Sequence, residues 1–339
     1  MKRSMAFRRI LILVIVALAA GAAVVAHLRA VRDDTDASAL VSKALLAENR
    51  GNYVADICTT ARYAGEAVTS KATVHRDGRS ERIQYNQAGQ DGVWTLTTDR
   101  TTYTYLPREN RLLVGKSSAL LADKQRVRLL LENYRARIEG GETVAGRAAY
   151  VVSLSPRRAS GPSKRLWIDA ERYTVLKSVD YSASGKPRAE MEVASVSYNA
   201  EIDRTRFELP EDDGLERVDV TAPRDRRQLS QELGISVQEP SYVPKGFVIE
   251  GSYLFNCPCG CNHRSAQLTY TDGLNTISVF QTPAGVTCSS TACRQSGHDC
   301  IIQESEMARL GQINRADKSV AVVADLLPDE VRKIAESVQ

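Results

Sequence analysis

Cysteine is the residue type in this chain whose spacing could do chemistry. Six of the seven cysteines lie between residues 257 and 300. Thiols so close in sequence can form disulfides, hold a soft metal ion or exchange with other thiols, and the redox state of the compartment favours one of these fates. The six candidates are Cys257, Cys259, Cys261, Cys288, Cys293 and Cys300.

The N-terminal segment predicts a compartment outside the cytoplasm. Four basic residues within positions 2–9 precede an uncharged run at 10–26. Its length lies between the core of a signal peptide, ~7–15 residues, and a minimal membrane span of ~17–25. Residues 1–32 are therefore predicted to be a signal peptide or an N-terminal anchor. In the anchor reading, which we favour, residues 10–28 tether a periplasmic protein to the inner membrane.

An oxidising compartment favours disulfides for the cysteine cluster. Cys257, Cys259 and Cys261 lie between two predicted strands and form a hairpin tip, and the other three lie in a polar loop. Cysteines two residues apart meet disulfide geometry poorly, so each tip cysteine is predicted to pair with a loop cysteine, in an order that the spacing leaves open. The alternatives are thiol exchange and a zinc or copper(I) site formed by Cys257, Cys259, Cys261, His263 and His298.

Other candidates for chemistry are weaker. Cys58 falls in a predicted strand and is interpreted as a buried free thiol. His75 stands in a strand without a triad partner nearby, and Asp169 is interpreted as a turn residue rather than an acid. Arg157 and Arg158 are interpreted as a solvated loop, with contact to lipid phosphates as the alternative.

Charge and motifs exclude several classes of function. The chain has 45 basic and 41 acidic residues, but six basic and no acidic residues lie in positions 1–32, so the remainder is close to neutral. A nearly neutral protein lacks the excess of basic residues that binding to nucleic acid requires. No G-x-S-x-G, HExxH or phosphate loop is present. The sequence therefore predicts no catalytic residue, no cofactor and no enzyme.

The elements that must position these residues are mostly strands. Helices are predicted at 36–50 and 117–137. Short strands are predicted between the two helices and after the second one, and the last strand of this series is expected to end at 207–210. This order predicts an α+β fold in which a half-open antiparallel β-barrel wraps on helices, followed by a smaller α+β domain. Such a barrel can enclose an apolar cavity or be plugged by its helices. The predicted strands cover residues 72–75, 81–86, 93–98, 101–106, 148–154, 164–169, 175–181, 189–198, 247–255, 265–270 and 277–281.

Several motifs carry a resemblance to a known family. VAGRAAYVVSLSPR at 144–157, LWID at 166–169 and VLKS at 175–178 resemble the N-terminal domain of the MucB/RseB family, which is similar to the lipoprotein carriers LolA and LolB. PKGF at 244–247 and LTYTDGLNTISVF at 268–280 resemble that family's second domain. The resemblance implies a LolA-like domain at 33–210, a linker at 211–239 and a C-terminal domain at 240–339 that carries the cysteine-rich insertion.

The resemblance also implies a function. Members bind the periplasmic part of a membrane-spanning anti-sigma factor, and they release it on sensing mislocalised lipid or lipopolysaccharide acyl chains. Mutually exclusive binding of this kind needs no catalytic residue. A lipid or lipoprotein carrier of the cell envelope is the alternative, and a cysteine-rich metal-binding envelope protein is a third possibility. Relative motion of the domains is expected at the predicted linker.

Overall fold

The computed structural model describes residues 36–47, 51–63, 66–87, 90, 92–118, 120–158, 161–210, 214–258, 263–286 and 309–339. The predicted N-terminal anchor therefore lies outside the described residues, as do five of the six clustered cysteines and His298. No helix in the described ranges combines the length and apolarity needed to cross a membrane.

Four helices and seventeen strands make up the described part of the chain. The helices are α1 (Ala37–Ala47), α2 (Asp123–Asn133), α3 (Arg226–Leu233) and α4 (Pro328–Glu336). The first eleven strands are β1 (Asn52–Tyr63), β2 (Glu66–Asp77), β3 (Ser80–Tyr85), β4 (Trp94–Thr98), β5 (Thr101–Leu106), β6 (Arg111–Lys116), β7 (Tyr134–Val144), β8 (Arg147–Pro156), β9 (Ser163–Asp169), β10 (Val175–Tyr181) and β11 (Pro187–Tyr198). The remaining six are β12 (Glu216–Pro223), β13 (Val248–Asn256), β14 (Arg264–Thr271), β15 (Thr276–Pro283), β16 (Arg309–Asn314) and β17 (Lys318–Ala324).

The strands form one continuous sheet. Its order is β7-β8-β9-β10-β11-β1-β2-β3-β4-β5-β6-β12-β13-β14-β15-β17-β16. Every pair is antiparallel except β6 and β12, which run parallel. Because β7 and β16 each pair on one side among the described strands, the sheet stays open. The predicted α+β class with a half-open antiparallel barrel is confirmed.

The first part of the sheet is strongly curved. Strands β8 and β9 are buried on both faces, since Tyr150 and Val152 pack with α1 and α2 while Val151 and Trp167 join Tyr53 of β1 in a second cluster. Strands β8 and β1 are separated by three other strands in the sheet, so residues of both can share a cluster only where the sheet bends. The bend creates an interior lined by alternate residues of the strands.

Helix α1 confirms the first predicted helix over the residues that the structure describes. Asp36 caps it as expected, since its carboxylate accepts the backbone N–H of Ser38 at 2.8 Å. Leu40, Val41 and Ala44 are buried against β7 to β9. The described helix ends at Ala47.

The second predicted helix, at 117–137, is wrong at both ends. Helix α2 spans only Asp123–Asn133, and strand β7 begins at Tyr134. In β7, Tyr134 and Ile138 are buried while Arg135 and Arg137 are exposed, which is the two-residue period of a strand. Apolar residues four apart fit both a helix and a strand, and pairing with β8 decides the conformation here.

The predicted linker, at 211–239, contains regular structure. Strand β12 pairs in parallel with β6 of the first part and antiparallel with β13 of the second, and helix α3 follows it. Asp225 and Gln228 form the capping box of α3. Residues 204–207, which include the start of the expected strand end at 207–210, form a 3₁₀ helix.

The second part of the chain packs α3 and α4 on one face of its five-stranded portion. Leu229 of α3 and Val331 and Ile334 of α4 lie in the same buried cluster as Leu268, Val279 and Val322 of the sheet. Pro328 begins α4 at a position where a missing N–H has no cost. The strand expectations at 247–255, 265–270 and 277–281 are confirmed.

Candidate functional site: an apolar cavity and a domain interface

The curved sheet encloses a cavity of about 280 Å³. One face of β1, β2, β3 and β11 lines it together with the start of β10, because side chains alternate between the faces of each strand. The volume lies near the lower end of the ~300–1,000 Å³ that is usual for ligand sites. The lining residues are Tyr53, Ala55, Ile57, Val74, Arg76, Glu81, Ile83, Thr174, Val175, Leu176, Met191, Val193 and Val196.

The cavity lining is apolar apart from an ion pair and a threonine. The Arg76 guanidinium pairs with the Glu81 carboxylate, and their side chains are 12% and 23% exposed. Arg76 also lies over the Tyr53 ring, 6.0 Å from its centroid. Burial lowers the pKa of Arg76, but the interactions with Glu81 and Tyr53 together outweigh this, so the net pKa is raised. A fixed ion pair in an apolar wall can orient the polar end of an amphipathic ligand.

The sequence did not predict which residues line this cavity, but the strand pattern contained a usable signal. Tyr53, Ala55 and Ile57 alternate along β1, and Val74 and Ile83 stand opposite each other on β2 and β3. Cys58 and His75 belong to the other face of the same strands. Cys58 is half-buried rather than buried as expected, and it forms no disulfide within the described part of the chain.

A second cluster of polar groups joins the two parts of the chain. Asp272 lies in the turn between β14 and β15 and is fully buried. Its Oδ2 atom accepts hydrogen bonds from the Tyr134 hydroxyl at 2.8 Å and from the Arg158 guanidinium at 2.5 Å. Its Oδ1 atom accepts the backbone N–H groups of Leu274 and Asn275 at 3.1 and 2.8 Å. Four donors surround the carboxylate, which is what a charge needs when it is removed from water.

The 272–275 turn sits directly on the first domain. Leu274 packs against the cluster that contains Leu130 and Tyr134. The Asn275 amide donates to the Tyr134 hydroxyl at 2.5 Å, and burial beside the Asp272 charge raises the pKa of that hydroxyl. Tyr134 therefore stays neutral and serves as both donor and acceptor across the interface.

Asn133, at the end of α2, extends the same interface. Its amide nitrogen donates to the carbonyl oxygens of Gly246 at 2.9 Å and Asp272 at 3.0 Å. Both acceptors belong to the second domain, so one side chain fixes two of its loops. The helix end is thereby held against the turn that carries the buried carboxylate.

Arg158 corrects an expectation from the sequence. It was interpreted as part of a solvated loop, but its guanidinium pairs with Asp272 and lies 4.9 Å from the centroid of the Phe247 ring. Arg157 is exposed, as the loop interpretation expects. The sequence could not separate the two because the partner of Arg158 is more than one hundred residues away.

Further contacts lie along the same interface. Arg188 pairs with Asp325 at 2.7 Å, Arg126 pairs with Glu250, and the backbone N–H of Ser118 donates to the Tyr253 hydroxyl at 2.9 Å. Together with the strand β12, these contacts hold the two parts at several separate points.

Asp169 is a turn residue, as the sequence indicates, and it is 1% exposed. Its carboxylate accepts the backbone N–H groups of Glu171 and Arg172, the Tyr198 hydroxyl and the Arg147 guanidinium. Burial, which favours the neutral phenol, raises the pKa of Tyr198 to about 12. The four donors explain why a buried carboxylate can stay charged here without acting as an acid.

At the hairpin tip that carries the first three clustered cysteines, the structure describes residues 257–258 and 263 but not 259–262. Cys257 is half-buried, and its backbone N–H donates to the carbonyl oxygen of His263 at 3.0 Å, which closes the hairpin. His263 is buried, and burial lowers the pKa of its imidazole. Within the described ranges, no group of three or more His, Cys, Asp or Glu side chains is placed to hold a metal ion. Disulfide formation and metal binding by the cluster both stay predictions.

Comparison with known proteins identifies the first domain. The sequence profile described as the MucB/RseB N-terminal domain matches residues 47–210. This region is a MucB/RseB N-terminal domain. The sequence resemblance to the MucB/RseB family is thereby confirmed, and no curated protein has a sequence that matches the chain.

Solved MucB structures extend the similarity beyond the MucB/RseB N-terminal domain. The MucA/MucB complex of Pseudomonas aeruginosa matches with a TM-score of 0.60 at 18% identity, over 90% of this chain and 99% of that one. MucB in complex with MucA(peri) matches with a TM-score of 0.59 at 18% identity, over 90% and 98% of the two chains. MucB alone gives a TM-score of 0.58 at 18% identity, over 89% and 97%. Both parts of this chain therefore share the MucB fold.

Proposed function

We propose that this chain is an extracytoplasmic regulator that binds the periplasmic part of an anti-sigma factor and senses lipid in its first-domain cavity. The observation that carries the proposal is the match to MucB over both domains, including MucB solved with MucA. Regulation by partner exchange needs binding surfaces rather than reacting groups, so the proposal assigns no catalytic residue and no cofactor.

The cavity supports the sensing part of the proposal. Its lining is apolar, and its volume of about 280 Å³ suits a segment of one acyl chain rather than a whole multi-chain lipid. The Arg76–Glu81 pair supplies the polar contact that such a ligand needs at its head. Burial of methylene groups would supply the affinity, at ~0.8 kcal/mol for each one.

The interface supports the coupling part of the proposal. The cavity strands β1 to β3 continue through β4, β5 and β6 into β12, which pairs with the second domain. A ligand that changes the curvature of the first domain would therefore act on the position of the second. If lipid and partner favour different arrangements, each weakens the binding of the other by the same factor.

We place this regulator in the periplasm, tethered to the inner membrane by residues 10–28 or released by cleavage within 1–32. A tether would raise the effective concentration of the chain near a membrane partner. The domain division proposed here stays at 33–210 and 240–339. Residues 211–239 then serve as a structured connection, because they include β12 and α3.

A lipid or lipoprotein carrier is the second candidate, and the cavity is the observation that favours it. A carrier needs the cavity but not a protein partner. The two candidates therefore differ in what the protein holds when it is recovered from cells.

The test is affinity capture of the full chain, tagged at the C-terminus, from detergent-solubilised membranes. Bound proteins and extracted lipids are then identified by mass spectrometry. Recovery of a single-span anti-sigma factor supports the regulator, and its recovery should fall when acyl lipid is added. Lipid without a protein partner overturns the regulator in favour of the carrier.

A cavity variant sharpens the same test. Ala55→Phe fills the space between the strands, so it should abolish the effect of added lipid while partner capture remains. The control is Ala61→Phe, which lies on the same strand outside the cavity lining. If added lipid still dissociated the partner from the Ala55→Phe variant, the cavity would be excluded as the sensor.

A further inference from the structure

A cluster of basic side chains lies on the face of the sheet opposite the cavity. His75 of β2 and Arg82 of β3 are directly paired across the two strands. The 3₁₀ helix Arg204–Phe207 packs on β3 and brings Arg206 to the same place, where the Arg82 guanidinium donates to the Arg206 carbonyl at 2.7 Å. The Arg206 charge also acts on both His75 and Arg82, so three basic groups from three separate segments lie near one another.

Two buried nitrogen atoms in this cluster lack hydrogen-bond partners among the described residues. His75 is 9% exposed, and its Nδ1 atom has no hydrogen-bond partner among the described residues. The Nε atom of Arg82 is likewise buried without a partner in the described part of the chain. A buried polar atom that is left unpaired costs ~1–3 kcal/mol. Two such atoms at paired positions indicate that something else satisfies them.

The charges around the cluster are not balanced. Two carboxylates interact electrostatically with the cluster, that of Asp56 with His75 and that of Asp203 with Arg206. Asp56 already accepts the hydroxyls of Thr73 and Ser195, and Asp203 caps the 3₁₀ helix through the backbone N–H of Thr205. Neither forms an ion pair with Arg82 or Arg206 among the described residues. Like charges held together in this way repel unless an anion lies between them.

The cluster is also held rigidly. The Arg82 guanidinium stacks on the Trp94 ring, 4.3 Å from its centroid. Trp94 belongs to a buried cluster with Leu96, Leu112 and Val114, which Phe207 at the end of the 3₁₀ helix covers. A guanidinium fixed by stacking loses little entropy when it binds a ligand.

We propose that His75, Arg82 and Arg206 form a binding site for a phosphate group, either free phosphate or the phosphomonoester of a lipid headgroup. Guanidinium forks match the oxygens of a phosphate, and an imidazole N–H can supply a further donor. The site faces away from the acyl cavity, so it would be occupied independently of a lipid tail in that cavity.

Binding of phosphate at this site should favour the protonated form of His75. Burial lowers the pKa of His75, and the charges of Arg206 and Arg82 lower it further, while Asp56 raises it. A bound phosphate would cancel the effect of the two arginines and raise the pKa of His75. Binding should therefore strengthen as the pH falls through the pKa of the free imidazole.

The test is isothermal titration of the full chain in detergent micelles with inorganic phosphate, in a buffer without other polyanions. The expected result is saturable binding that Arg206→Gln weakens about tenfold or more. Arg206 is exposed, so this variant should fold even if Arg82→Gln does not. The control is Arg108→Gln, an exposed arginine at the start of a different turn, which should leave binding unchanged.

Two further readouts complete the test. In ¹⁵N-histidine spectra, phosphate should raise the pKa of the resonance that His75→Gln removes. Flotation with vesicles that contain phosphatidic acid, against vesicles of phosphatidylcholine alone, separates a headgroup from free phosphate as the source. Equal phosphate affinity in Arg206→Gln and Arg108→Gln, with no shift of the His75 resonance, would overturn the site.

Discussion

The Tyr134 hydroxyl donates a hydrogen bond of 2.8 Å to the carboxylate of Asp272, a residue 138 positions further along the chain. Tyr134 opens the strand that follows α2, and Asp272 lies in a turn of the second domain. Both side chains are fully buried. The two parts of the chain therefore meet through a buried polar contact, which requires both of them to be correctly placed.

Asp272→Asn should strongly destabilise the protein. The change leaves the Arg158 guanidinium without its counter-charge in a mostly buried site, and such a break costs ~3–5 kcal/mol. Urea unfolding measures the loss. The control is Arg128→Gln, which removes an ion pair to Glu132 with side chains 81% and 55% exposed, and which should cost only about 0.3–0.5 kcal/mol. Similar losses in the two variants would contradict the buried interface.

Gly273→Ala should separate the domains. A Cβ atom at Gly273 would lie 2.4 Å from the backbone nitrogen of Leu130 in α2, and the backbone there has φ +96°. Gly285→Ala is the matched control, because Gly285 has φ +76° but open space around its Cβ position. We expect the first variant to lose ~1–3 kcal/mol more than the second and to increase the radius of gyration in small-angle scattering. An unchanged radius would show that the turn can move without opening the interface.

Acid should weaken the first domain through Asp169. Burial raises the pKa of this carboxyl, but hydrogen bonds from Arg147 and from the backbone N–H groups of Arg172 and Glu171 outweigh it, so the net pKa is lowered. A lowered pKa stabilises the fold above the unfolded value of ~3.9, and this stability is lost as the pH falls through the folded value. As the pH falls below the unfolded value of ~3.9, the urea midpoint of the wild type should therefore fall more steeply than that of Asp169→Asn. Parallel curves would assign the acid sensitivity to other carboxylates.

Ala55→Phe should reduce the binding of a fluorescent fatty acid at least tenfold. Ala55 is 2% exposed and lies in the cavity wall, so a phenyl ring there occupies the space that an acyl chain would use. Overpacking should cost ~1–3 kcal/mol of stability, which a melting curve would report separately. Normal fatty-acid binding by a folded Ala55→Phe protein would show that the acyl chain binds elsewhere.

The six clustered cysteines should appear as three disulfides in non-reducing peptide maps. Each bridge is expected to join Cys257, Cys259 or Cys261 to Cys288, Cys293 or Cys300, and each closes a loop worth ~3–4 kcal/mol in the chain-entropy model. Reductant should then lower the melting temperature, and a chelator should leave it unchanged. The opposite pair of responses would support the metal alternative instead.

The sequence predicts the local elements better than the way in which they are joined. Strands rich in Thr and Tyr, such as β5, follow from pattern alone, and so does the Asp36 cap of α1. Strands β6 and β12 do not, because they pair with each other across more than one hundred residues, and β7 does not, because the spacing of its apolar residues also fits a helix. Residues 134–138 show the difficulty. The spacing of their apolar residues fits a helix as well as a strand, and only the pairing with β8 determines that they form a strand.

The candidate sites divide in the same way. Asp169 could be interpreted as a turn residue because its role is local. Arg158 could not be placed, because its partner Asp272 is a polar residue in a D-G turn, where an exposed side chain is the ordinary expectation. The burial of the Asp272 carboxylate can be recognised only when its four hydrogen-bond donors are known. The cavity lining was not predicted either, since alternation along a strand does not say which face is enclosed.

The parallel pairing of β6 with β12 also bears on the order in which the chain folds. The two strands begin 105 residues apart, at Arg111 and Glu216, whose side chains also form an ion pair. If the chain emerges from its N-terminus, β6 is completed with an unpaired edge long before β12 arrives. Exposed edges of this kind invite pairing with other chains. The interval between the two strands is therefore the stage at which a chaperone would protect this protein most.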